Sequence, residues 1–120
     1  MLIRMTKFTL IFKCLTIAAL LTVLVMSLRP SAITGGPANI DKVLHLVAYG
    51  VLAGLARLGW PKLWGGTIFL GLAVFGIGIE IAQHLMPLGR TGSLADTAAN
   101  LLGTALALIF FHIFWTRHQR

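Results

Sequence analysis

Four long apolar runs, separated by short stretches of proline, glycine and charge, set the pattern of this chain. The first extends from Phe8 to Leu28 and is interrupted by little more than Lys13. Pro30, Gly35-Gly36 and Pro37 then break any helix between Arg29 and Ile40. A second apolar body runs from Val43 to about Leu58 and stops at the turn Gly59-Trp60-Pro61-Lys62. A third, rich in glycine, ends at Pro87; a tight loop with Gly89 and Gly92 leads to a fourth that lasts to about Trp115. A helix needs roughly 20 apolar residues to cross a hydrocarbon core of about 30 Å. The pattern therefore predicts an all-α fold, an integral membrane bundle of four transmembrane helices near 8–28, 42–59, 63–86 and 94–115, in a single membrane domain over 1–120.

The helix starts have capping chemistry of their own. Asn39 or Asp41 can cap the second helix. Ser93 followed by Asp96 matches a capping box for the fourth. The basic leader Met1–Lys13 resembles the start of a signal peptide. Its apolar run, however, continues back through Phe8, and Arg29-Pro30 stands where a small-residue cleavage site belongs, so 8–28 reads as a retained first helix. Lys13, about one turn inside, can extend its ammonium to the near surface.

Charge gives the bundle a direction. Only 11% of residues are charged while 58% are hydrophobic, against about 25% charged in a soluble domain. The net charge of +7 does not point to nucleic acid, because the ten basic residues are dispersed singly and form no phosphate-tracking patch. With four spans, both termini and the 59–62 turn share one side, which carries Arg4, Lys7, Arg57, Lys62, Arg117 and Arg120. The opposite side has Arg29, Lys42 and Arg90, so the positive-inside rule makes the termini cytoplasmic and turns the other loops outward. The single cysteine, Cys14, excludes an internal disulfide, and no zinc-finger spacing is present.

The outward end gathers the polar residues. Glu80, Gln83 and His84 fall at i, i+3 and i+4 and share one helical face, as do Asp96 and Asn100 at i, i+4. Asp41, Lys42 and His45 begin the second helix. Glu80 and Asn100 lie about 9 Å inside their helix ends and His45 about 6 Å. A carboxylate in hydrocarbon costs about 2.5–3.5 kcal/mol even on a lenient scale, so these side chains are expected to cluster. Arg90, Lys42 and His45 are the expected partners of Glu80, Asp96 and Asp41. Close packing would come from Gly50-x-x-x-Gly54, Gly78-x-x-x-Ala82 and Ala99-x-x-x-Gly103-x-x-x-Ala107. Each residue also has a plainer role: Asp41 and Asp96 as caps, Arg90 as a surface anchor, His84 as a wetted interface residue. Glu80, more than a turn deep, has no capping role.

The strings Asp41-Lys42-x-x-His45-x-x-x-Tyr49-x-x-Leu52 and Glu80-x-x-Gln83, followed by Arg90, Asp96 and Asn100-x-x-Gly103, resemble the VanZ-like family of small bacterial membrane proteins. The resemblance covers a core of about 40–108, with 8–28 as an additional helix; Leu85-Met86-Pro87 stands where the family usually has an aromatic before its proline. It implies a multi-pass protein of the bacterial cell (inner) membrane and, for the family's namesake, reduced susceptibility to the glycopeptide teicoplanin. It implies no biochemical mechanism.

Three function classes remain open. In the first, the polar cluster Asp41, Lys42, His45, Tyr49, Glu80, Gln83, Arg90, Asp96 and Asn100 binds an envelope lipid, a lipid-linked wall precursor or a lipoglycopeptide. Arg90 and Lys42 would then meet an anion. In the second, the protein is an assembly subunit whose cluster fixes helix register. In the third, it is a membrane-embedded acid–base hydrolase or transferase in which His45 works with Glu80 or Asp96. A metal held by Asp41, His45, Glu80 and Asp96 is a variant of the third. No serine or cysteine nucleophile sits with a base and no zinc-protease helix motif is present, so no catalytic residue, metal or cofactor is assigned. Membrane lipids are the expected surroundings and partners.

Overall fold

The computed structural model describes residues 2–29, 40–86 and 93–118. They form four helices: α1 (Leu2–Ser27), α2 (Ile40–Gly59), α3 (Gly65–Leu85) and α4 (Leu94–His118). All four are long and apolar enough to cross a membrane. Large side chains such as Val47, Val51, Leu70, Val74, Leu106 and Phe110 stand outward and exposed. Such a surface would be costly in water but belongs against lipid chains. The chain is a multi-pass membrane protein with a four-helix, all-α fold, as the hydropathy pattern predicts.

Helix α2 is the centre of the bundle and contacts the other three helices. Its inward stripe holds Tyr49, Leu52, Ala53 and Ala56, all buried, at the spacing expected of one helical face. The closest pair is α2 with α4. A Cβ on Gly103 would lie 2.1 Å from the Leu46 carbonyl oxygen, so only glycine lets the two backbones meet there. Gly59 does the same on a smaller scale against α1, where a Cβ would stand 3.0 Å from the Lys13 nitrogen.

The helix ends differ from the predicted ones for identifiable reasons. Helix α1 starts at Leu2 rather than Phe8, because Lys and Arg are good helix formers and continue the helix beyond its apolar part. Helix α3 starts at Gly65 rather than Leu63. The Leu63 amide donates to the Trp60 carbonyl in the turn, and the Leu63 carbonyl accepts from the Arg57 guanidinium. At the same end the Lys13 ammonium lies 5.6 Å from the Trp60 ring centre, a cation–π distance. Asp41 is the second residue of α2, not its cap; Asn39 lies outside the described residues.

Candidate functional site

The C-terminal end of α3 and the N-terminal ends of α2 and α4 meet at one end of the bundle. The tight α2–α4 contact decides which side chains pair. From α2, the Lys42 ammonium reaches Asp96 Oδ1 of α4 at 3.4 Å and Asp41 Oδ2 at 4.0 Å. Three residues on, His45 Nδ1 lies 2.9 Å from Asn100 Oδ1. An amide oxygen can only accept, so His45 donates from Nδ1. Its Nε2 is thereby directed to the other side, 3.9 Å from Asp41 Oδ1. The Asn100 backbone carbonyl accepts from the Thr104 hydroxyl at 2.8 Å.

Asp96 is the most confined carboxylate. Its side chain is 10% exposed, and its Oδ1 is buried without a hydrogen bond. Ser93 Oγ accepts from the Asp96 amide at 3.1 Å, which is one half of the predicted capping box. Among the described residues the Asp96 carboxylate does not return the bond; it turns inward to Lys42 instead.

Glu80 is half-buried at the edge of the cluster. Asp96, His45, His84 and Asp41 are the titratable side chains that act on it electrostatically. It forms no ion pair with Lys42 or His45, contrary to the expected pairing, because α4 stands closer to α2 than α3 does and takes the lysine. Arg90, the other expected partner, lies outside the described residues.

Gln83 is buried, but not in the cluster. Its Nε2 donates 2.8 Å to the Ser27 carbonyl and ties α3 to the last turn of α1. His84 is exposed, as expected. Tyr49 sits beneath the cluster, 2% exposed, with its ring 6.4 Å from that of Phe75.

Two contributors escaped the sequence reading. Thr104 is fully buried beneath Asn100 and bonds to its backbone carbonyl; it sits four residues after Asn100, where a hydroxyl can bond back to the preceding turn. Gly76 is the residue that admits α3. A Cβ there would lie 3.0 Å from the Tyr49 hydroxyl and 3.2 Å from Asn100 Nδ2. Gly78, expected to mediate packing, would put its Cβ into open space. The signal for Gly76 was its position one turn before Glu80, on the stripe of Leu72, Ile79 and Gln83.

Asp41, His45 and Asp96 each place one potential metal-ligand atom within 4.8 Å of the others. Among the described residues, the cluster holds all three acidic side chains of the chain against one lysine.

A four-helix membrane bundle with charged and amide side chains gathered at one end defines the class: a small multi-pass membrane protein with a polar cluster at one end of its helices. Residues 2–115 match the VanZ/LLP1 family, nearly the whole chain, and the protein belongs to it. No curated protein and no solved structure matches the chain.

Proposed function

We propose that the polar end is a recognition site on the outer side of a bacterial cell membrane, for the head group of an amphiphilic envelope molecule. An envelope lipid, a lipid-linked wall precursor and a lipoglycopeptide such as teicoplanin all have this form, and tolerance of glycopeptides would follow from binding one of them. The observation that carries the reading is the convergence of Asp41, Lys42, His45, Glu80, Asp96 and Asn100 from three helices within about two turns of their ends. Exposed apolar residues flank the cluster: Val43, Leu44 and Val47 on α2, Ile81 and Leu85 on α3. An acyl chain lying along these faces would bring its head group to the polar side chains. Asp41, 62% exposed, is the most accessible of them.

A second reading has specific support. Lys42–Asp96, His45–Asn100 and Gln83–Ser27 each bridge two helices, and such pairs can serve only to fix helix register. Asp41→Asn and Glu80→Gln separate the readings, since neither side chain bridges helices among the described residues. Recognition predicts normal membrane accumulation of both variants, with reduced teicoplanin tolerance in cells and less lipid retained by the purified chain in native mass spectrometry. Tolerance and retained lipid that follow abundance in every variant would leave the register role alone standing.

A further inference from the structure

We infer that Asp41, His45 and Asp96 form a binding site for a divalent first-row metal ion, with Lys42 as the built-in cation that the metal displaces. The donor set is one imidazole nitrogen and two carboxylate oxygens, whose atoms lie within 4.8 Å of one another. Metal–ligand distances of about 2.0–2.2 Å put donor atoms roughly 3–4 Å apart. His45 Nε2 and Asp41 Oδ1, at 3.9 Å, already meet that spacing.

Two further observations set the group apart from a casual gathering of acids. The first is the orientation of the histidine. Asn100 Oδ1 engages Nδ1 at 2.9 Å, which fixes the proton there and leaves the Nε2 lone pair on the side of Asp41. A hydrogen bond from the non-ligating nitrogen is the usual support of a metal-bound histidine. Asn100 is itself buried, so its amide engages the imidazole away from competing water. The second is Asp96 Oδ1, buried without a hydrogen bond and with only the Lys42 ammonium, at 3.4 Å, as its ion-pair partner among the described residues. A buried carboxylate oxygen in that condition needs a cation.

Lys42 supplies one in part. Its ammonium stands 3.4 Å from Asp96 Oδ1 and 4.0 Å from Asp41 Oδ2, where it neutralises the two carboxylates a metal would bind. The Lys42 side chain is 40% exposed and long enough to swing its ammonium toward the membrane surface. Metal and lysine therefore compete for one position. Glu80 is not among the three ligands. The metal site stands apart from the head-group reading. Were both to hold, the ion would offset carboxylates that a phosphate head group would otherwise face.

The test uses the purified full chain in detergent, stripped with chelator and titrated with Co2+ alone. The d–d absorption of the ion reports its ligands. The expected result is one saturable Co2+ per chain. Asp41→Asn, whose exposed side chain bridges no helices, weakens it by at least about tenfold, and Asn100→Ala by roughly 10–100-fold through the unsupported histidine. Lys42→Met tightens it. Absence of saturable binding in both the wild type and Lys42→Met overturns the inference. So does binding that Asp41→Asn and Asp96→Asn leave unchanged, because the ion would then sit on another histidine or on Cys14. Either failure leaves lipid retention, measured without added metal, as an independent result.

Discussion

At the scale of single residues, the Lys42–Asp96 pair makes an asymmetric prediction. Asp96 is nearly enclosed, whereas Lys42 keeps 40% of its side chain exposed. Removing the carboxylate leaves a lysine that can extend to water, so Asp96→Asn should cost no more than about 1 kcal/mol, the range of an exposed ion pair. Removing the lysine leaves Asp96 buried without its counter-cation, and breaking a buried pair in that sense costs about 3–5 kcal/mol. Lys42→Met should therefore lower the melting temperature in detergent clearly more than Asp96→Asn does. The double variant should recover most of the loss, because it strands no charge. Equal destabilisation by the two single changes would mean that Lys42 matters through packing of its stem rather than through charge.

At the scale of elements, three glycines that look alike in the sequence should behave differently. Gly103→Ala drives a methyl group into the Leu46 carbonyl, 2.1 Å from the ideal Cβ, so α2 and α4 must part. Overpacking of this kind costs about 1–3 kcal/mol or more, and it should disrupt the Lys42–Asp96 and His45–Asn100 contacts together. Gly76→Ala, with its nearest neighbour the Tyr49 hydroxyl at 3.0 Å, should be milder, since a side-chain tip can yield. Gly78→Ala meets nothing within 4 Å and should stabilise α3 by about 0.5–1 kcal/mol through helix propensity. Thermal melting of the three variants checks the order. The same contrast shows what was legible beforehand. The four helices could be read because apolar length and Pro/Gly breaks act locally. The gathering of Asp41, His45, Glu80, Asp96 and Asn100 at one end could be read because it needs only helix count and direction. The pairing could not. Whether Lys42 meets Glu80 or Asp96, and whether Gln83 faces the cluster or Ser27, depends on how far each helix turns about its axis. The close approaches at Gly76 and Gly103 fix that rotation, and the small-residue spacing that marks Gly103 marks Gly78 equally while passing over Gly76.

The whole molecule has two unlike ends, and they predict its direction in the membrane. All three carboxylates lie at one end, with Lys42 engaged between Asp41 and Asp96. At the other, Lys13 covers Trp60, Arg57 closes the turn on Leu63, and Lys62 is exposed. A basic, tryptophan-bearing end is expected against the anionic cytoplasmic leaflet, which predicts that the carboxylate end faces outward. The prediction can be read in intact cells after Cys14, exposed on α1, is replaced by serine. A cysteine introduced at Gly36 or Gly92 should react with a membrane-impermeant maleimide from outside, and one at Lys62 only after permeabilisation. The reverse pattern would put the carboxylate end in the cytoplasm. Recognition of an outer-leaflet head group or of an external lipoglycopeptide would then be lost, because neither would meet Asp41 or Glu80. The metal site would survive that reversal, since its three ligands depend on the packing of α2 against α4 and not on which side of the membrane they face.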